Sequence, residues 1–271
     1  MSTTTISNLT CEYQTNPLGI DVLQPRLSWQ MQSDQRNAYQ TAYQIFVAPS
    51  EAALESGQNL LWDSGRVETD QSTLVPYQGS ALDAGQRVYW QVRVWNEAGQ
   101  ASDSPSAWWE MGLLDSSNWQ ADWITPAWDE DTSRPNPAPM LRRGFSADSD
   151  LVAARIYATS LGLYELRLNG QRVGDAVLTP GWTSYDNILQ YQTYDVTDLL
   201  REGDNVLGAI LGDGWYRGYM GFTRERNMYG DHLALLLQLH LTYADGRTEI
   251  VSSDEQWQAT CSPILMSDIY M

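Results

Sequence analysis

The sequence predicts an all-β protein made of two consecutive β-sandwiches. Apolar and polar residues alternate in many short runs, turn signals recur roughly every 10 residues, and long stretches of helical periodicity are scarce. The chain has 271 residues, which suits two domains because domains of about 100–150 residues are the most common size. We predict a first sandwich at residues 1–113, an inter-domain segment at 114–139 and a second sandwich at 140–271.

The first sandwich is expected to be fibronectin type III-like, because about seven short strands separated by turns are typical of that fold and of immunoglobulin domains. Its clearest strand is residues 88–95, in which Val88, Trp90, Val92 and Val94 share one face. Its other predicted elements are strands at 26–31, 42–48, 60–63 and 106–111 and a short helix at 51–56.

The inter-domain segment is predicted from its prolines, which prevent a regular strand ladder between residues 113 and 139. Trp119 and Trp123 near its start are expected to pack against a neighbouring domain. The acidic residues Asp129, Glu130 and Asp131 are predicted to form a solvated charge run in this loop.

The second sandwich is predicted to be jelly-roll-like, because short alternating strands return after Met140 and continue towards the end of the chain. Two of its hairpin turns are predicted from the dipeptides Asn169-Gly170 and Asp245-Gly246. Its predicted strands are residues 151–158, 162–168, 171–178, 189–195, 205–211, 233–243, 247–252 and 257–260. Residues 267–271 resemble the middle of an element, so we expect the chain to be a fragment truncated within this domain.

The strongly acidic composition limits the expected partners. The formal net charge of -18 repels the phosphates of nucleic acids and the headgroups of anionic lipids, so neither nucleic acid nor membrane is expected as a partner. Neutral sugars and cations remain the expected ligands. Cys11 and Cys261 are predicted to be free thiols, and the lack of a signal-like apolar segment predicts a cytoplasmic location.

Several motifs occur in one order along the whole chain. In the first domain they are PRLSW at residues 25–29 and YWQVRVW at 89–95. In the second domain they are LYELRLNGQRVG at 163–174, LTPGWTSYD at 178–186, QTYDVTDLL at 192–200 and GDGWYRG at 212–218. With these motifs the chain resembles the N-terminal region of glycoside hydrolase family 78, the bacterial α-L-rhamnosidases.

The resemblance implies an activity for the parent protein. In that family an α/α-barrel C-terminal to these sandwiches hydrolyses terminal α-L-rhamnosides, inverting the anomeric carbon with a carboxylic acid and a carboxylate held apart across the sugar. Those catalytic residues would lie beyond residue 271, so this chain is expected to hydrolyse nothing alone. Its implied partners are a rhamnose-containing glycoside or polysaccharide and the missing catalytic domain of the same polypeptide.

The same resemblance implies a calcium site in the second domain, which is similar to the family's rhamnose-binding modules. In those modules an Asp-Asn pair holds a calcium ion that contacts the sugar hydroxyls. Here the pair is Asp186 and Asn187, Trp182 in the same run is a carbohydrate-binding candidate, and Asn227 is a further candidate oxygen ligand. The alternative is an Asx-type turn in which Asp186 and Asn187 only cap the local backbone.

The glycine-rich aromatic loop at residues 212–222 is a second candidate for sugar contact. Trp215 or Tyr216 could stack on a pyranose face, and Arg217 could donate hydrogen bonds to hydroxyls. Two alternatives remain: the glycines only permit a turn around core rings, or the loop docks on the missing barrel.

Other functions have weaker support in the sequence. His232 and His240 have no cysteine nearby, so a zinc site is not predicted. The first domain has no notable polar cluster and is expected to be a spacer or interface module. The rival function for both domains is a purely structural one, as a scaffold or dimerisation surface without sugar binding, and a second rival is a fragment with hydrolase activity of its own.

Overall fold

The computed structural model describes residues 4–222 and 224–270. The first three residues of the first predicted domain and the last residue of the second lie outside the described residues. The chain divides into two compact units, residues 1–118 and 119–271. The named strands of both units pair antiparallel, which confirms the predicted all-β class with two sandwiches. Among residues 4–222 and 224–270, no helix is long and apolar enough to span a bilayer.

The first unit contains eight strands and one α-helix among the described residues. The strands are β1 Thr4–Cys11, β2 Arg26–Ser33, β3 Gln40–Ala48, β4 Trp62–Asp63, β5 Val75–Pro76, β6 Arg87–Asn96, β7 Ala101–Asp103 and β8 Ala107–Glu110. The helix is α1 Glu51–Ser56, and a 3-10 turn follows at Ser116–Asn118.

Two sheets enclose one core in the first unit. One sheet has the order β1-β2-β5, and the other has the order β4-β3-β6-β7, with β8 also paired to β6. Strand β6 alternates buried and half-buried residues along its whole length, as its sequence predicts. Its buried face contributes Val88, Trp90, Val92 and Val94 to a core that also receives Trp29 from β2.

The short helix α1 is confirmed at its predicted bounds, and its ends show why it forms. Ser50 accepts a hydrogen bond from the Ala53 amide at 3.2 Å, which satisfies one of the free donors of the first turn. Gly57 ends the helix with a φ of 65°, a left-handed conformation that favours glycine.

Strand β1 was not predicted, because its apolar residues do not alternate regularly. Ile6, Leu9 and Cys11 are buried, and the register with β2 shifts between Ser7 and Thr10. Asn8 has a φ of 51° within this irregularity. The bulge adds a residue between the buried positions, so a search for period two misses the strand.

The second unit contains nine strands and one short α-helix among the described residues. The strands are β9 Pro139–Ala147, β10 Leu151–Leu161, β11 Leu163–Leu168, β12 Gln171–Arg172, β13 Gln192–Asp195, β14 Gly203–Gly212, β15 Ala234–Tyr243, β16 Thr248–Ser252 and β17 Gln258–Cys261. The helix is α2 Gly214–Arg217, and a 3-10 turn lies at Thr197–Leu199.

Two sheets again share one core. Their strand orders are β13-β10-β15-β16 and β12-β11-β14-β9-β17. Ile156 and Leu237 from the first sheet and Leu166 and Leu207 from the second belong to the same buried cluster. The hairpin predicted between β11 and β12 is present, and Gly170 occupies its left-handed position with a φ of 83°.

The structure differs from two sequence predictions that concern the second unit. The strand predicted at 171–178 ends at Arg172, and residues 173–191 form a long loop instead. Residues 119–139 of the predicted inter-domain segment belong to the second unit, in which Ile124 and Leu235 exchange two backbone hydrogen bonds of 2.9 Å. Trp119 packs edge-on against Tyr191 with ring centroids 5.6 Å apart, whereas Trp123 is 45% exposed.

Candidate functional site

The aromatic residues singled out in the sequence bring two loops of the second unit together. Trp182 stacks on Trp215 with ring centroids 5.7 Å apart and planes 8° from parallel. Its indole nitrogen donates to the Tyr229 hydroxyl at 3.2 Å. Trp182 is still 51% exposed, so it presents an oriented ring at the surface.

A cluster of three tyrosines anchors the turn that carries Asp186. The Tyr185 ring lies edge-on to Tyr216 at 5.3 Å and to Tyr229 at 4.9 Å, and its hydroxyl donates to the Gly181 carbonyl at 2.8 Å. Burial raises the pKa of Tyr185 to about 12, so the hydroxyl stays a donor even at alkaline pH values where an exposed tyrosine ionises.

Asp186 and Asn187 are exposed at the tip of this turn. Backbone hydrogen bonds close the turn, with the Asn187 amide donating to the Ser184 carbonyl at 2.8 Å. The Asn187 side chain donates to Ser184 Oγ at 2.9 Å, and within the described residues Asp186 has no hydrogen-bond or ion-pair partner. Neither side chain caps the turn backbone, so the Asp186 carboxylate and the Asn187 amide oxygen are both available to a ligand.

Asn227 presents a third available oxygen. Its side-chain nitrogen donates to the Thr132 carbonyl at 3.0 Å, and its backbone has a φ of 58°. Its Oδ1 is buried without a hydrogen-bond partner among the described residues. A buried acceptor without a donor is costly, and a cation or an ordered water would relieve that cost.

The types of these three oxygens fit a hard cation. One carboxylate and two amide oxygens are ligand types that calcium prefers, and backbone carbonyls or waters commonly complete its shell. The part of the chain that the structure describes has no cluster of three or more His, Cys, Asp or Glu side chains able to hold a metal. A calcium ion held by Asp186 would therefore depend on amide oxygens as well as on this carboxylate.

Arg217 and Tyr216 lie beneath the surface and not at it. The Arg217 side chain is 1% exposed; its Nε donates to Asp213 Oδ1 at 2.6 Å and its Nη1 pairs with Glu130. Tyr216 is 8% exposed. In this arrangement neither side chain reaches a sugar, which favours the alternative that the rings of this loop are core.

Arg226 extends the same buried network. It pairs with Asp213 Oδ2 at 3.0 Å and with Asp268 Oδ1 at 2.9 Å, and Asp268 also accepts from the Tyr219 amide at 3.0 Å. Burial raises the pKa of the Asp268 carboxyl above its usual value, against the opposing charge of Arg226. These contacts join Asp213, Tyr219 and Arg226 to Asp268.

Sequence reasoning missed most of this network. Asp213 and Arg217 are four residues apart, a spacing that places side chains together on one helical turn, and this signal was present. Glu130 was predicted to be solvated, yet its side chain is only 14% exposed because it pairs with Arg217. Arg226 and Asp268 are 42 residues apart, so no local pattern indicates their pairing.

Two domain families match the chain. The Rha78A-like N-terminal immunoglobulin domain matches residues 6–115. The α-L-rhamnosidase N-terminal domain matches residues 149–271. The two matches lie in the two compact units and follow one another along the chain.

Relatives and solved structures match nearly the whole chain. An α-L-rhamnosidase of Formosa agariphila is 37% identical over 263 residues, which are 94% of this chain and 28% of that protein. The crystal structure of Streptomyces avermitilis α-L-rhamnosidase complexed with L-rhamnose covers 98% of this chain and 42% of its own, with 28% identity and a TM-score of 0.92. Native α-L-rhamnosidase from Aspergillus terreus covers 99% of this chain and 31% of its own, with 38% identity and a TM-score of 0.89.

The position of the match defines which part of such a protein this is. The chain spans less than half the length of these relatives. Its two domains match families described as N-terminal, in the same order. The resemblance inferred from the motifs is confirmed, and the chain is the N-terminal part of an α-L-rhamnosidase.

Proposed function

We propose that the second unit is a sugar-binding module that holds calcium and an L-rhamnose residue. The observation that carries this proposal is the set of available oxygens on Asp186, Asn187 and Asn227. Of these, the buried Oδ1 of Asn227 gives the strongest support for a bound ligand, because proteins seldom bury a carbonyl oxygen that has no hydrogen-bond partner.

Each residue has a separate task in this proposal. Asp186 contributes a carboxylate to the ion, and Asn187 and Asn227 contribute amide oxygens. When bound, calcium supplies a coordination shell that vicinal sugar hydroxyls can share. Trp182 offers the C–H face of the sugar an exposed ring whose orientation Trp215 and Tyr229 hold.

The net charge of the chain and a related solved structure support the same function. A chain with a net charge of -18 attracts a divalent cation and does not repel a neutral sugar. The related rhamnosidase of Streptomyces avermitilis was solved in complex with L-rhamnose. We extend the proposal to the whole protein, which would hydrolyse terminal α-L-rhamnosides with a catalytic domain in another part of the polypeptide.

Isothermal titration calorimetry tests the binding function. We expect the chain to bind L-rhamnose in calcium and to lose that binding in excess EDTA. Asp186→Ala and Asn227→Ala should each weaken rhamnose binding by at least about ten-fold, because each removes a ligand of the ion.

Asp175→Asn is a matched control, since it removes one exposed carboxylate charge from the same unit. It should leave rhamnose affinity unchanged. No heat from millimolar L-rhamnose in saturating calcium would favour the scaffold function instead. Incubation of the chain with p-nitrophenyl α-L-rhamnoside should release no p-nitrophenol above buffer, and turnover that a point mutation abolishes would show that a catalytic site lies in this chain.

A further inference from the structure

A groove of about 580 Å³ lies beside the exposed ring of Trp182. Four of its lining side chains are aromatic: Trp182, Tyr219, Phe222 and Tyr270. Phe222 is fully exposed and Tyr270 is 45% exposed. Single exposed apolar side chains are normal on protein surfaces, whereas a cluster of them often marks an interaction site. Several exposed rings on one concave surface are therefore typical of ligand sites.

Two of these rings are held in place from behind. Trp182 has one face covered by Trp215, so its exposed surface belongs to the other face and the edge. Tyr219 has the Arg226 guanidinium over its ring at 4.7 Å, and Arg226 is in turn fixed by Asp213 and Asp268. Rings that are already oriented lose little conformational entropy when a ligand stacks on them.

Arg224 gives the groove a charge. It is the only ionisable residue other than tyrosine among the described residues that line the groove. Its side chain is exposed, and within the described residues it has no hydrogen bond or ion pair. The chain as a whole is strongly acidic, but salt screens exposed charges beyond about 8 Å, so the charges nearest the groove matter most to a ligand there.

We propose that this groove binds a sugar ring that carries a carboxylate, next to the rhamnose residue. The proposal rests on the proposed function, since it adds a second ring to the ligand held at Asp186. The C–H face of a pyranose suits the negative face of an aromatic ring, and the free guanidinium suits a carboxylate, which it can bind with two parallel hydrogen bonds. Trp182 lines the groove and precedes Asp186 by four residues on the same loop.

Two disaccharides that differ only at C6 of the second sugar, a carboxylate in one and a hydroxymethyl group in the other, test the proposal. They are α-L-rhamnosyl-(1→4)-D-glucuronic acid and α-L-rhamnosyl-(1→4)-D-glucose, titrated into the chain with calcium at low salt. We expect the acidic disaccharide to bind about five-fold more tightly, the upper range for an exposed ion pair. Arg224→Gln should abolish this preference and leave the affinity for L-rhamnose alone unchanged.

Arg142→Gln is the matched control, because Arg142 is an exposed arginine of the same unit outside the groove. It should keep the preference for the acidic disaccharide. Equal affinity of the wild-type chain for the two disaccharides would overturn the groove proposal while the rhamnose site stands. If L-rhamnose does not bind but D-glucuronic acid does, and Arg224→Gln abolishes that binding, the groove proposal stands and the rhamnose site falls.

Discussion

The core of the first unit and the loop cluster of the second unit bury very different chemistry. The first core is built on apolar and aromatic side chains, including the fully buried Trp29, Trp90 and Trp109. Its buried amide Gln40 accepts from the Trp29 indole at 2.9 Å and donates to the Gln71 carbonyl at 2.7 Å. Polar groups in this core are few, and burial of apolar surface stabilises it.

The loop cluster, which we define as residues 182–187, 213–222 and 224–231 with Glu130 and Asp268, buries charge instead. Its four most buried charged side chains are at most 4% exposed: Asp213, Arg217, Arg226 and Asp268. Trp215 Nε1, Arg217 Nη2, Arg226 Nε and Asn227 Oδ1 are buried there without a hydrogen-bond partner among the described residues.

The difference indicates that the loop cluster is less stabilising than an apolar core of the same size. Replacing a buried ion pair with apolar side chains of similar volume is often neutral or stabilising. Stability alone therefore does not explain this network. It joins the loop that carries Asn227 and Tyr219 to two distant segments. We therefore interpret the network as a frame that holds the loops of the candidate site in one geometry, since proteins break local rules of stability mainly at functional sites.

The largest expected effect lies in the first core. Trp90→Ala removes a side chain that is 1% exposed and should lower the free energy of unfolding of the first unit by about 4 kcal/mol, because a large cavity remains. Urea unfolding followed by peptide-resolved hydrogen exchange measures this loss and assigns it to a unit.

Trp108→Ala is the matched control for that substitution. Trp108 lies on neighbouring strand β8, is half-buried, and is covered by the Arg87 guanidinium at 3.9 Å. Its loss should be about 1–2 kcal/mol, from the smaller burial and one cation–π contact. Equal losses for Trp90 and Trp108 would mean that burial does not set the stability of this sandwich.

The next effect lies in the loop cluster. Arg226→Ala leaves the carboxylates of Asp213 and Asp268 buried with one cation fewer, and should destabilise the second unit by about 3 kcal/mol. The same urea and exchange measurement applies. Arg142→Ala, at an exposed arginine of β9, should change stability by less than about 0.5 kcal/mol, and a similarly small effect at Arg226 would remove the proposed frame.

The regular parts of the fold could be predicted from sequence because each depends on a short-range pattern. Strand β6 follows from alternation, α1 from Ser50 and Gly57, and the β11–β12 turn from Asn169-Gly170. Strand β1 escaped because its bulge breaks that alternation.

The candidate site could be predicted only in part. Trp182, Asp186 and Asn187 were predicted because they share one short run, and the structure places them on one loop. The position of Arg217 was not found, because its burial depends on Glu130, 87 residues earlier in the chain. Pairings across such separations are set by the packing of the whole unit, which local periodicity does not encode.

The smallest expected effect, Asp268→Asn, tests which force governs the buried frame. Burial raises the pKa of Asp268 above its usual value of 3.8, so at pH values between the two pKa values the folded chain binds more protons than the unfolded chain. Its ionisation therefore lowers the free energy of unfolding as pH rises through that window. The Asp268→Asn variant cannot titrate there, so this fall should be missing, while its stability at neutral pH should stay within about 1 kcal/mol of wild type. Urea midpoints measured from pH 3 to pH 7 compare the two proteins. If wild type instead gains stability over the variant as pH rises through the window, attraction to Arg226 outweighs burial, and the loop cluster is stabilised by its charges in spite of their low exposure.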